Sequence, residues 1–249
     1  MTLQTDPDVL SRAVANCAGA YRMWAERLGK RSRVWDDLSC ADLELPVVLP
    51  PNNATVLRQP APGEADDLLE RAKEFFAGRP GGPFELWSMW PIPELSGVEA
   101  WPVPCMIREP GGDGRPLPSE LDIVEVDDAT SIREAEALID EVFEARSEPG
   151  SLLALACLDE RFRVWVGRVE GRAVTTATAC IAEGFVGVYA VATAPDARGH
   201  GYGEAMTWVA TSCRPELPAT LQASSMGRPI YERMGYRTIA EFTVWDRER

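Results

Sequence analysis

Histidine is nearly absent from this sequence, in which His200 is the single histidine among 249 residues. That scarcity excludes zinc sites built from several imidazoles, and it leaves a Ser-His-Asp triad with only one residue to act as its base. The six cysteines are scattered and no two have the CxxC spacing, so neither a zinc ribbon nor a disulfide framework is indicated. We therefore expect no metal site.

Basic residues are also scarce, with 25 Lys and Arg against 39 Asp and Glu and a formal net charge of −14. A surface of this sign repels the phosphates of nucleic acids and of anionic membranes. The longest strongly apolar run, Leu152–Leu158, is far too short to span a bilayer, and the first residues lack the basic stretch of a signal peptide. We expect a cytoplasmic protein with neither nucleic acid nor membrane as partner, and the oligomeric state stays open.

What the chain does contain is a glycine-rich turn between a strand pattern and a helix pattern. Four of the six residues from Val188 to Thr193 are β-branched or aromatic, Pro195 ends the run, and three glycines fall at residues 199 to 203. From Ala205 onward the apolar residues recur at helical spacing. Glycines let backbone N–H groups approach a ligand, and a helix N-terminus adds about half a positive charge. The stretch predicts a phosphate-binding loop.

Two familiar phosphate motifs do not fit this loop. A P-loop needs Lys followed by Ser or Thr after its last glycine, where this chain has Glu204 and Ala205. The dinucleotide fingerprint GxGxxG needs a third glycine at Glu204. On these residues alone, a glycine turn that only joins strand to helix stays open.

The pattern Arg198-x-x-Gly201-x-Gly203 behind the strand resembles the acetyl-CoA pyrophosphate loop of the GNAT N-acetyltransferases. A second block follows at the spacing of that family. It has a short strand at Leu221–Ala223, Ser224 or Ser225 as a helix cap, a short helix over Arg228–Met234, and Gly235 at the helix end. The two blocks together carry the resemblance, which covers roughly residues 121–245.

The resemblance implies an N-acetyltransferase that moves an acetyl group from acetyl-CoA to an amine of a small molecule or peptide by direct attack. It implies that the backbone of the strand before the loop binds the pantetheine arm, and that Tyr231 donates a proton to the departing thiolate. A purely structural role for Tyr231 in the core stays open. The cofactor-binding residues implied by the resemblance are Val191, Thr193, Arg198, Gly199, His200, Gly201, Tyr202, Gly203 and Ser224.

The chain departs from the family pattern at two positions. Gly187 stands where many members carry a glutamate base, and Ser224 stands where Asn is usual. The base is therefore open between a water relay, another residue such as Glu183, and no base at all for an amine that arrives neutral. A catalytically silent acyl-CoA-binding sensor or interaction module is the alternative function.

The order of predicted strands and helices indicates an α+β fold with a GNAT-type mixed central sheet flanked by helices. The Pro- and Gly-rich segment Glu109–Pro118 predicts a linker between an α+β domain at 1–115 and an acetyltransferase domain at 119–249. Residues 100–108 faintly mirror the closing strand at 237–247, which suggests that the first domain is a degenerate GNAT copy; an unrelated α+β domain stays open. Leu152–Leu158 is predicted as a strand.

Overall fold

The structure is a computed structural model that describes residues 6–46, 50, 52–78, 80, 83–112, 114 and 116–247. These residues form five α-helices and eleven β-strands, which confirms the predicted α+β class. The helices are α1 (Pro7–Arg27), α2 (Ala65–Phe76), α3 (Ala129–Phe143), α4 (Tyr202–Thr211) and α5 (Arg228–Arg233). The strands are β1 (Arg31–Val34), β2 (Leu38–Asp42), β3 (Asn53–Val56), β4 (Phe84–Ser88), β5 (Trp101–Arg108), β6 (Asp122–Glu125), β7 (Phe162–Val169), β8 (Arg172–Ala182), β9 (Phe185–Thr193), β10 (Ala219–Gln222) and β11 (Arg237–Arg247).

The chain divides into two compact units, Met1–Cys105 with Thr238–Arg249 and Met106–Arg237. The last strand, β11, therefore belongs almost wholly to the first unit, where it pairs antiparallel with β4. The strand order of the first unit is β1-β2-β3-β4-β11-β5. The sequence-based division at residues 115 and 119 stays a prediction.

The second unit is built on the strand order β10-β9-β8-β7-β6. Strands β6 to β9 are successively antiparallel, whereas β9 and β10 are parallel and are connected through α4. The sequence places Glu170-Gly171 and Glu183-Gly184 between strand patterns, and both residues of each pair have positive φ, as a tight two-residue hairpin requires.

The first unit repeats this connection on a smaller scale. Strands β1, β2 and β3 are successively antiparallel, and β3 is parallel to β4 through α2. The order β3-α2-β4 thus matches β9-α4-β10, which supports the interpretation of the first half as a second copy of the same fold.

Each unit has an apolar core against its crossover helix. In the first unit, Leu68, Ala72 and Phe76 recur along one face of α2, and the Phe76 ring stacks on Phe84 of β4 at a centroid distance of 4.0 Å. In the second unit, α4 packs Met206 and Ala210 against the sheet, in a cluster with apolar side chains of β8, β9 and β10. These helices are held by packing, since their apolar faces match the pleated sheet beneath them.

The predicted strand at Leu152–Leu158 is wrong. The segment is irregular and contains only a 3₁₀ turn at Leu155–Cys157. Its backbone donates to the buried Glu136 carboxylate of α3, with Oε1 2.8 Å from the Leu152 nitrogen and 3.2 Å from the Leu153 nitrogen. Because a carboxylate satisfies their N–H groups, Leu152 and Leu153 are buried without a neighbouring strand, whereas Leu155 is exposed.

Some sequence-based expectations fall outside the described residues. They concern the first residues of the chain, part of the apolar run before the Pro50 turn, part of the glycine-rich end of α2, and two positions of the predicted linker. The positions are 1–5, 47–49, 51, 79, 81–82, 113 and 115.

The first unit buries a carboxylic acid that should make its stability depend on pH. Glu85 on β4 is 6% exposed and accepts a hydrogen bond from Trp87 Nε1 at 2.6 Å. Burial, opposed by the hydrogen bond from Trp87 and reinforced by the nearby Asp246, raises the pKa of Glu85 from 4.5 to about 7. Between these values the folded chain holds a proton that the unfolded chain has lost, so stability falls as pH rises from about 4.5 to about 7.

We expect Glu85→Gln to remove this dependence. The parent should lose about 3 kcal/mol of unfolding free energy across that window relative to the variant, and the difference should be constant above it. Urea unfolding of both chains at pH 5, 6, 7 and 8 measures it. Parallel pH curves for the two proteins would contradict a protonated Glu85.

Candidate functional site

The second unit opens a gap between two parallel strands. Strand β10 pairs with β9 only at Val186 and Gly187, although β9 continues to Thr193. The two strands therefore separate beyond Gly187. On the other edge of β9, Thr178 faces Tyr189 and Thr176 faces Ala192, so β9 carries an extra residue between these pairs.

This β-bulge is centred on Ala190, whose φ of +48° is unusual for a residue with a side chain. A bulge bends its strand and increases the local twist. The bend lies where β9 and β10 have ceased to pair, so it accounts for the gap beside the end of β9. Nothing in the sequence around Ala190 signals the bulge.

The loop that follows β9 leads directly into α4. A short 3₁₀ turn covers Pro195–Ala197, and α4 begins at Tyr202 with Gly201 as its N-cap. Gly199 and Gly201 have φ of +86° and +82°, a region that strains other residues. The backbone N–H groups of residues 199–203 donate to no acceptor within the described part of the chain. Together with the N-terminus of α4, they form a site suited to an anion.

Gly203 is needed for close packing. A Cβ at Gly203 would lie 3.2 Å from Thr193 Oγ1 at the end of β9. Thr193 Oγ1 is in turn 2.9 Å from Thr175 Oγ1 of β8. A larger side chain would push the first turn of α4 away from β9, so glycine here sets the distance between the loop and the strand edge.

The side chains of the loop hold its shape. Tyr202 is buried and donates to Glu120 Oε1 at 3.1 Å, and burial together with that carboxylate raises the tyrosine pKa. The His200 ring stacks on Tyr202 at 5.3 Å, and its Nδ1 is 3.1 Å from the carbonyl oxygen of Arg198. Arg198 Nε donates to the Thr193 carbonyl at 3.2 Å, which keeps a cation beside the anion site.

Tyr231 lies on α5 and is held from two sides. A Cβ at Gly227 would lie 2.7 Å from Tyr231 Cε2, so the ring rests on a backbone that only glycine provides. The Thr207 hydroxyl of α4 donates to the Gly203 carbonyl at 2.7 Å and lies beside the Tyr231 hydroxyl. Burial raises the pKa of Tyr231 to about 12, an effect that Thr207 partly offsets. The phenol is thus linked to the anion loop and stays protonated at neutral pH.

Ser224 supports the turn that carries Tyr231. The N-cap of α5 is Gly227, so the predicted cap at Ser224 or Ser225 is wrong in position. Ser224 Oγ instead accepts from the Gly227 N–H at 3.1 Å, because three further residues of turn precede the helix. The serine therefore fixes the glycine on which the tyrosine ring packs.

The structure brings no carboxylate of the predicted kind to the gap. Gly187 lies within β9, opposite Cys180 and Thr220, and has no side chain to act as a base. Glu183 is in the turn that precedes β9, at the end of the strand opposite the loop. Glu204 in the first turn of α4 lies 3.5 Å from Arg233. Neither Gly187 nor Glu183 therefore places a carboxylate at the loop end of β9.

Several buried polar atoms of this unit have no hydrogen-bond partner in the described part of the chain. They are both amide atoms of Gln222 on β10, Thr178 Oγ1 on β8 and Trp208 Nε1 on α4. Leaving such a group unsatisfied costs about 1–3 kcal/mol. Sequence reasoning missed Gln222, as it missed Thr207 and Gly227. For Thr207 a signal existed, since it places a hydroxyl among apolar residues in the second turn of a helix that begins at a predicted site.

In the first unit, the connection between β3 and α2 corresponds to the loop between β9 and α4, but its residues are arranged differently. Before α2, Glu64 accepts from the Ala61 N–H at 2.7 Å and pairs with Arg58 at 2.8 Å. A carboxylate of the chain itself thus lies at this helix start, and hydrogen bonding to Arg58 lowers its pKa. The described residues around it offer no glycine loop like that of residues 199–203.

Among the described residues, no three His, Cys, Asp or Glu side chains lie close enough to hold a metal ion. None of the helices in that part of the chain has the length and apolar character needed to cross a membrane.

No protein-family model matches this chain, and no curated protein matches it. Solved structures do. A GCN5-related N-acetyltransferase from Kribbella flavida has a TM-score of 0.66 at 21% identity, covering 93% of this chain and 95% of that one. A GNAT-family acetyltransferase from Novosphingobium aromaticivorans has a TM-score of 0.61 at 19% identity over 98% and 100%. The chain has the GNAT fold. A third such structure, from Sphaerobacter thermophilus, has a TM-score of 0.58 at 15% identity over 94% and 93%.

The GNAT fold accounts for the arrangement of the second unit. The gap at the end of β9, the loop at residues 199–203 and Tyr231 on α5 lie around the start of α4, and they are the features that the resemblance singled out. The sequence identities are low, so the likeness extends to the fold, and the chemistry has to be argued from the side chains.

Proposed function

We propose that the chain is an acetyl-CoA-dependent N-acetyltransferase that acts on the amine of a small molecule or peptide. The observation that carries the proposal is the set of free N–H groups at residues 199–203, placed at the start of α4 and beside the gap between β9 and β10. Five donors and a helix N-terminus suit a pyrophosphate, and the adjoining gap suits an extended arm.

The residues present fit this cosubstrate. The loop from Arg198 to Gly203 would hold the pyrophosphate, and the backbone of Val191 and Thr193 would hold the pantetheine arm along the free edge of β9. Ser224 would contribute indirectly, because its hydroxyl stabilises the turn that holds Gly227 beneath the Tyr231 ring. When bound, acetyl-CoA supplies a thioester carbonyl for attack by the amine.

Tyr231 would assist the departing thiolate. A thiol has a pKa of about 8.5, well below the value of about 12 for Tyr231. Because the phenol is the weaker acid, its role is to donate a hydrogen bond to the developing negative charge before any full proton transfer. Thr207 lies beside the Tyr231 hydroxyl, but its one proton is donated to the Gly203 carbonyl, so Tyr231 alone would donate to the thiolate.

Without a carboxylate at Gly187, the amine would have to lose its proton to water or arrive neutral. The rate should therefore rise with pH up to the pKa of the acceptor amine. The net charge of −14 favours cationic amines over anionic ones by long-range attraction.

The test is a screen of acetyl-CoA against amines, with release of free thiol as the signal and calorimetry of CoA alone beside it. We expect thiol release with at least one amine and one CoA per chain, because Glu64 already lies at the matching helix start of the first unit. CoA binding without thiol release for any amine would favour the silent sensor. Two equivalent CoA sites per chain would refute the assignment of the first unit as inactive.

A further inference from the structure

The side-chain amide of Gln222 is one of the buried polar groups without a hydrogen-bond partner in the described part of the chain, and the proposed function gives it no role. Gln222 is the last residue of β10, two positions after Thr220, which is the last residue of β10 paired with β9. Its Nε2 and Oε1 atoms are both shielded from solvent, and neither has a partner in the described part of the chain. The side chain thus offers one donor and one acceptor at the point where the two strands have separated.

The face of the sheet on which Gln222 lies follows from the alternation of β10. Ala219, Leu221 and Ala223 pack in the apolar cluster with α4. The side chains of Thr220 and Gln222 therefore point to the opposite face of the sheet. On β9, Val188 belongs to the same cluster, so the side chain of Tyr189 points to that opposite face as well. The Gln222 side chain is consequently on the face of the sheet opposite that cluster, at a position where β10 is no longer paired with β9.

We infer that Gln222 is a binding residue whose side-chain amide pairs with an amide group of the acyl-donor arm in the gap between β9 and β10. The inference rests on the proposed function. A primary amide has one atom that donates and one that accepts, and secondary amides offer a carbonyl oxygen to the first and an N–H group to the second. The pantetheine arm of CoA contains such amides, whereas its nucleotide end does not. Gln222 therefore satisfies its two unpaired atoms only when the arm is bound.

The test compares two ligands on one variant. Gln222→Met keeps the length and volume of the side chain but removes the donor and the acceptor. We expect its Kd for CoA to be at least about tenfold weaker than that of the parent. Its Kd for adenosine 3′,5′-bisphosphate, which has the nucleotide end without the arm, should stay within about twofold, and the Tm without ligand should be equal or higher because no unsatisfied amide is left.

Thr178→Val is the matched control, because Thr178 also carries a buried polar atom without a partner in the described part of the chain, but on β8, which is paired with the other edge of β9. It should leave both Kd values unchanged. Equal CoA affinity in the parent and Gln222→Met would overturn the inference while leaving the proposed function intact, and so would an equal loss for both ligands. A parent chain that binds neither ligand would instead overturn the proposed function itself.

Discussion

Gly201→Val should abolish most of the affinity for CoA while the chain still folds. Gly201 has a φ of +82°, where a β-branched residue is strained, so the loop would have to rearrange. The N–H groups of the loop would then no longer converge on one anion. Losing two or more charge-assisted hydrogen bonds corresponds to roughly 100-fold or more in Kd. Calorimetry with CoA measures the effect, and Gly203→Val should behave similarly because its side chain would meet Thr193.

Gly184→Val is the matched control for strain. Gly184 also has positive φ, at +72°, but it lies in the hairpin turn at the other end of β9. Both variants should lower the Tm, and only those in the loop should weaken CoA binding. If acetyl-CoA raises the Tm of Gly201→Val as much as that of the parent, the loop is not the phosphate site.

Tyr231→Phe should reduce kcat by roughly 100-fold or more with little change in the Kd of acetyl-CoA. The substitution keeps the ring that packs on Gly227 and removes only the hydroxyl. Thr207 still donates to the Gly203 carbonyl, so the change leaves no donor unsatisfied and the Tm should hardly move. Turnover, affinity and Tm are measured on the same preparation.

Tyr236→Phe provides the comparison, since Tyr236 is a neighbouring tyrosine with a structural role. Its ring centroid is 6.0 Å from that of Tyr231, and its buried hydroxyl is 2.6 Å from Thr211 Oγ1. This variant should lose about 1–3 kcal/mol of stability and keep kcat. A Tyr231→Phe enzyme with unchanged turnover and a lowered Tm would remove Tyr231 from the chemistry.

The pattern of residues 188–206 was sufficient to predict a strand, a glycine loop and a helix, because each depends on neighbours in the sequence. Strands show β-branched residues, positive φ selects glycine, and the helix shows its own period. The same holds for α5, whose end at Gly235 is predicted correctly. The roles of the loop residues and of Tyr231 stay predictions until binding and turnover are measured.

The strand predicted at Leu152–Leu158 is wrong because it was inferred from hydrophobicity alone. A short apolar run says that a segment is buried, but it does not say which groups satisfy its backbone. Here Glu136, sixteen residues before Leu152, accepts the N–H groups that a strand partner would otherwise take. No local pattern contains that contact.

The sequence alone determined the strand, the glycine loop and the helix of residues 188–206, since these follow from the backbone preferences of adjacent residues. Only the tertiary structure decided that β11 joins the first unit and that β9 bulges at Ala190. It also decided that Gln222 is buried near the gap and that Thr207 lies beside Tyr231. Those features depend on pairing and packing between residues far apart in the chain. Strand register depends on the packing of side chains from several strands, so the sequence of one segment does not determine it.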